Sequence, residues 1–266
     1  MKTTLAAAAA LLATTIASSA ADLAPAYTKA APMAAVYSWT GFYIGGNLGG
    51  GMASSHFDDP CFYCSSATPT AGFFTGGAQI GYNYQFGSGL VGFEADVNGN
   101  SNLKSSVLGG DDQNAMTVRS NIDVSGTIRA RGGLVINNAL VYATGGFAWA
   151  NVKQTGTEFC QSLTPCFNFA TGATTPVGAL TGITANRSGT VWGGVIGAGV
   201  EFAVSQNWIV GGEFLHTMYQ DRDATILEPG GANACVVQQH VNGASCVIRN
   251  QLTTDVARLR FSYKFQ

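Results

Sequence analysis

The chain predicts an all-β fold, an eight-stranded antiparallel transmembrane β-barrel with short periplasmic turns and four long outer loops, on three observations. Its closing stretch, residues 258–265, reads Arg-Leu-Arg-Phe-Ser-Tyr-Lys-Phe, alternating polar and apolar with Phe261, Tyr263 and Phe265 on one face. Seven further segments alternate at period two, the pattern of a strand with one face toward lipid and one toward a polar lumen. The connections between segments are short and long by turns, as in a barrel of the outer membrane.

The first 21 residues read as a secretory signal: Lys2, an apolar run over 5–16, then the small residues Ser19, Ala20 and Ala21. No later stretch reaches the roughly 18 apolar residues of a membrane helix, so a spanning mature chain must cross with strands whose backbone groups pair with one another. Residues 22–38, rich in Ala and Pro and without period, are expected as a flexible periplasmic leader, and 39–266 as the barrel.

The first strand begins at Trp39, with Phe42, Ile44 and Leu48 on one face and Tyr43, Gly45, Asn47 and Gly49 on the other. The second, residues 72–86, sets Phe74, Ala78, Ile80, Tyr82, Tyr84 and Phe86 against Thr75, Gly77, Gln79, Asn83 and Gln85. In the third, Val91, Phe93, Ala95 and Val97 alternate with Gly92, Glu94, Asp96 and Asn98, two faces that cannot share one environment. The fourth, 122–134, alternates Ile122, Val124, Ile128 and Ala130 with Asp123, Ser125, Thr127, Arg129 and Arg131. The fifth, 139–151, turns Val141, Ala143, Phe147 and Trp149 outward and Tyr142, Thr144 and Gly146 inward. The sixth, 190–203, opposes Trp192, Ile196, Ala198, Val200 and Phe202 to Gly193, Gly197, Gly199 and Glu201. The seventh starts at Trp208 and opposes Val210 and Phe214 to Gly211, Glu213 and Thr217, and the eighth closes on Phe265.

Three connections, near 87–89, 136–138 and 205–207, are short, and four, about 51–70, 101–117, 153–187 and 220–250, are long. Loops of that length count against a compact soluble domain and suit the outer face of a barrel. Aromatics gather near strand ends: Trp39, Tyr84, Phe86, Trp208, Phe261, Tyr263 and Phe265 on the turn side, and Phe73, Phe74, Trp149, Trp192 and Tyr219 on the loop side. Two such girdles are expected at the two lipid–water boundaries.

Charged residues make up 11% of the chain, against about 25% in soluble domains. Mean hydropathy is only +0.16, too polar for a helical membrane protein. Without Lys2 the 13 basic residues become 12 against 15 acidic, a balance of −3 that gives no footing for nucleic acid.

Several stretches carry a family resemblance: Ala21-Asp-Leu-Ala-Pro25, Tyr37-Ser-Trp-Thr-Gly-Phe-Tyr-Ile-Gly45, Val141-Tyr-Ala-Thr-Gly-Gly146, Gly197-Ala-Gly-Val-Glu-Phe202, Asn207-Trp208, Gly212-Glu-Phe-Leu215 and the terminal Tyr-Lys-Phe. The chain resembles the small outer-membrane barrels of alphaproteobacteria known as outer-membrane immunogenic proteins, which share the OmpA-like barrel. Gln266 departs from that family, whose members generally end on the aromatic, leaving Phe265 as a penultimate anchor for the barrel-assembly machinery. The resemblance implies an integral outer-membrane protein with structural, surface-exposed or adhesion-like roles, some relatives binding haem, and no catalytic residues to carry over.

Six cysteines fall two by two in the expected outer loops: Cys61 with Cys64, Cys160 with Cys166, Cys235 with Cys246. Six allow 15 connectivities, and proximity favours the three local disulfides in an oxidising compartment. Thioredoxin-type redox work at Cys61-Phe-Tyr-Cys64 lacks a βαβ frame, and a zinc site with His56 or His240 lacks the spacing. His56, His216 and His240, with Tyr63 and Tyr219, are haem-ligand candidates set against a reading as solvent-exposed loop residues. No triad, calcium loop or phosphate loop is present, so neither catalysis, a metal nor a cofactor is expected.

On the inward faces lie five acids, Glu94, Asp96, Asp123, Glu201 and Glu213, and four bases, Arg129, Arg131, Arg258 and Arg260. An eight-stranded barrel has room only for side chains, so these charges are expected to pair and plug the lumen. The expected function is an integral outer-membrane protein serving envelope integrity and surface or host contact through disulfide-tied loops. Its partners would be outer-membrane lipid and lipopolysaccharide, the assembly machinery and a host or surface ligand. A small-solute porin and a haem-binding surface protein are the alternatives.

Overall fold

The computed structural model describes residues 37–58, 66–68, 70–101, 106–108, 114–160, 166–167, 174–225 and 247–265. The expected signal peptide and nearly all of the leader, Tyr63, His240, and Cys61, Cys64, Cys235 and Cys246 lie outside them. Eight long strands build the fold: β1 Gly41–Asp58, β2 Thr70–Phe86, β3 Gly89–Asn100, β4 Asn114–Ile136, β5 Ala139–Cys160, β6 Leu180–Ala203, β7 Trp208–Tyr219 and β8 Val247–Lys264. Each pairs antiparallel with the next, and β8 returns to β1 with Leu48 opposite Leu259, closing the barrel. Closure satisfies every ladder without leaving an edge, which a strand structure in hydrocarbon requires.

Short turns join β2 to β3, β4 to β5 and β6 to β7. The first two open on Gly87 and Asn137, with φ of 60° and 57°, residue types that tolerate the left-handed region. Alternation then sorts the side chains. Phe42, Ile44, Leu48, Phe74, Ile80, Phe93, Val97, Ile128, Phe147, Ile196 and Leu259 are exposed on the outer surface, while Tyr43, Asn47, Gln79, Asn83, Glu94, Asp96, Arg129, Arg131, Arg258 and Arg260 are buried inside. At the turn end Trp208 stacks on Phe261 at 4.7 Å and meets Tyr263 edge-on at 5.0 Å, while Phe42 lies 4.7 Å from Tyr82, forming the girdle expected there.

Three expectations are corrected. The strands outrun their apolar alternation: β4 begins at Asn114, β5 reaches Cys160 and β6 starts at Leu180, inside the loops expected at 101–117 and 153–187. Beyond the lipid both faces meet polar surroundings, so the hydrophobic pattern lapses while the backbone ladder continues. Asp123 does not enter the lumen. It is the extra residue of a β-bulge between Ile122 and Val124, which turns Ile122 inward and leaves Asp123 paired with Lys153 at 2.6 Å on the outer surface. Finally, Trp39, Phe73 and Tyr219 belong to the interior rather than to the girdles. Phe73 and Tyr219 share parity with the inward Thr75 and Thr217.

These inward aromatics help to layer the lumen. Toward the turns, Trp39, Leu90, Leu140, Tyr142, Ala203 and Ile209 make one apolar cluster, with Tyr37 packed against it. Toward the outer mouth, Ala53, Phe73, Ile122, Ala148, Ala150, Val152, Val191, Val195, Leu215, Tyr219 and Leu252 make another. Four acids and four arginines lie between the two, and Lys264 sits at the turn end over the Tyr37 ring at 5.2 Å.

Candidate functional site

Each of the eight charges at mid-lumen owes its position to strand parity. β3 contributes Glu94 and Asp96, β4 Arg129 and Arg131, β6 Glu201, β7 Glu213, and β8 Arg258 and Arg260. Glu94 stands opposite Arg129 in the β3–β4 ladder and Glu213 opposite Arg258 in the β7–β8 ladder, so two pairs are set by register alone. The space these long side chains need comes from glycines beside them: Gly92 faces Arg131, Gly146 faces Arg129, and Gly211 faces both Glu201 and Arg260.

The pairs then join across the lumen. Arg129 contacts Glu94, holds Asp96 at 3.0 Å and reaches Glu213 at 2.9 Å. Arg131 lies 2.9 Å from Glu201 and 3.4 Å from Glu94. Arg258 sits 3.0 Å from Asp96 and 2.7 Å from Glu213. Arg260 contacts Glu94 and holds Glu213 at 2.9 Å and Glu201 at 3.3 Å. No side chain of the eight is more than 4% exposed. With Asp123 outside, four acids meet four bases and the layer carries no net charge.

Two tyrosines that sequence reasoning left out of the network complete it. The Tyr43 hydroxyl donates to Glu94 at 2.7 Å and accepts from Arg131 at 2.9 Å, while the Tyr142 hydroxyl donates to Glu213 at 3.0 Å and its ring underlies the Arg131 guanidinium at 3.9 Å. Their inward parity was the available signal. On β1 and β2, Gln79 bridges Asn47 at 3.1 Å and Ser262 at 3.0 Å, extending the polar belt around the wall.

Such a layer neutralises itself. Buried charges are tolerable only when paired and hydrogen-bonded, and here each carboxylate has at least two cationic neighbours. The space left above Asp96 and Arg258, beneath Phe73 and Tyr219, is about 40 Å3, room for one or two waters and not for a solute. Toward the outer mouth, Arg187, Asp221, Asp223 and Arg249 line an open recess of about 520 Å3.

Of the remaining candidates, His216 faces Asp255 at 2.7 Å on the outer surface and His56 meets Thr68 at 2.8 Å. Tyr219 is buried in the outer apolar cluster, which takes it out of the surface-ligand set. Cys160 is buried and disulfide-bonded. No three His, Cys, Asp or Glu converge as a metal cluster among the described residues.

A closed barrel with an apolar exterior and a self-neutralising core defines a transmembrane β-barrel of the outer membrane. The chain belongs to the family of the outer membrane protein beta-barrel domain, which matches residues 6–265. It is 34% identical over 202 residues to the 31 kDa outer-membrane immunogenic protein of Brucella melitensis, across 73% of this chain and 76% of that one. It is 29% identical over 199 residues to the 22 kDa outer membrane protein of Rhizobium leguminosarum, across 73% and 70%. Among solved structures, the attachment invasion locus protein Ail of Yersinia pestis is 11% identical, covering 85% of this chain and 99% of that one at a TM-score of 0.35.

Proposed function

We propose that this outer-membrane barrel is a structural, surface-exposed, non-enzymatic component of the envelope whose lumen is closed and whose outer loops make the biological contacts. The observation that carries the reading is the neutral layer of four arginines and four carboxylates between two apolar clusters, which offers neither a water column nor an unpaired charge to a passing ion. Local disulfides, Cys61 to Cys64, Cys160 to Cys166 and Cys235 to Cys246, tie the loops that reach a surface or host ligand. The family relatives named outer-membrane immunogenic proteins support a surface-exposed role. The closing aromatics of β8 present the barrel to the assembly machinery.

A deletion strain tests this reading. Loss of the chain should increase sensitivity to detergents and leave uptake of small sugars unchanged. Slowed uptake with an intact permeability barrier would favour the porin instead.

A further inference from the structure

The barrel wall is lopsided. β4, β5 and β6 run 23, 22 and 24 residues, whereas β3 and β7 have 12 each, so this sector carries an ordered wall well beyond the apolar belt. On its outward face Trp149 stands opposite Trp192. Above that pair come Asn151 opposite Thr190, hydrogen-bonded at 2.8 Å, then Lys153 opposite Ser188 and Asn121, then Arg119 opposite Thr155. Directly below lie Phe147, Ile128 and Ile196, all exposed.

We propose that this face binds the phosphorylated sugar headgroup of an outer-leaflet glycolipid, with Arg119 and Lys153 contacting phosphate and the amides and hydroxyls beside them contacting sugar. The occupant follows from the order of residues. Indole pairs mark headgroup depth, the apolar wall beneath accepts acyl chains, and cations two and three rows higher on the same face meet the phosphates. Lys153 is shared with Asp123, but that pair is exposed, and a doubly charged phosphate competes well for an ammonium held so weakly. In the far sector the outward His216 faces Asp255 instead. This inference rests on the spanning, surface-exposed reading above.

The test uses the full mature chain refolded in zwitterionic detergent, with bisphosphorylated lipid A and its dephosphorylated form as probes and binding read by native mass spectrometry. Bisphosphorylated lipid A should bind the unaltered chain more tightly than the dephosphorylated form. Each of R119Q and K153Q should weaken binding roughly fivefold, while R249Q leaves it unchanged. Retention of the compact unheated gel band in each variant separates a lost lipid site from a lost barrel. Equal binding of the two lipids, unchanged binding in both single variants, or displacement by equimolar inorganic phosphate would overturn the proposal.

Discussion

Arg129 and Glu213 come from strands three places apart in the barrel, β4 and β7, yet Nη1 and Oε1 are 2.9 Å apart across the lumen. The interior is therefore only as wide as two side chains laid end to end, and the charges that alternation drives inward have nothing to meet but each other.

Removing one partner from this layer leaves a buried charge without its counterion. Arg258→Ala should destabilise the barrel by about 3–5 kcal/mol, less where water enters, because Asp96 and Glu213 both lose a cation. Lys153→Ala, at an exposed pair, should change stability by less than about 1 kcal/mol. Denaturant unfolding of the two variants in the same detergent checks the contrast, and similar losses in both would refute a buried network.

Two glycines of β6 give a second contrast. A Cβ on Gly199 would lie 2.5 Å from the Tyr142 hydroxyl oxygen, whereas one on Gly194, on the outer face, meets nothing within 4 Å. Gly199→Ala should cost about 1–3 kcal/mol by overpacking and displace Tyr142 from Glu213, while Gly194→Ala is neutral. Equal stability of the two variants would mean that the lumen yields easily.

What could be read from sequence was whatever period two dictates. Glu94, Asp96, Arg129, Arg131, Glu201, Glu213, Arg258 and Arg260 are placed inside by their neighbours' apolarity alone. Period two misplaces Asp123, because a bulge shifts parity without leaving a mark in composition. Residue type sends Phe73 and Tyr219 to the girdles, whereas parity sends them inward, where they join the outer apolar cluster. The upper parts of β4, β5 and β6 were invisible because nothing apolar reports on a strand that has left the lipid. Tyr43 and Tyr142 were read as inward, but their hydroxyl partners depend on cross-barrel distances that no local pattern contains.

The cysteines offer a chemical check. Intact-mass analysis should show three disulfides and no free thiol, and peptide mapping should link Cys61 to Cys64, Cys160 to Cys166 and Cys235 to Cys246. Reduction should leave the barrel folded and speed protease cleavage in the outer loops. Linkages between different loops would contradict the local pairing.

A closed ladder should also survive detergent. The protein is expected in the outer-membrane fraction and to migrate differently on gels before and after heating, since its backbone bonds resist dodecyl sulfate until heated. An identical band in both lanes would count against closure.

The most direct test of a sealed lumen is single-channel recording from monodisperse protein in a planar lipid bilayer. The apolar clusters around Trp39 and Tyr219, with the neutral ionic layer between them, predict no discrete steps above the bare-bilayer leak. Large, steady, porin-sized openings on reconstitution would contradict it.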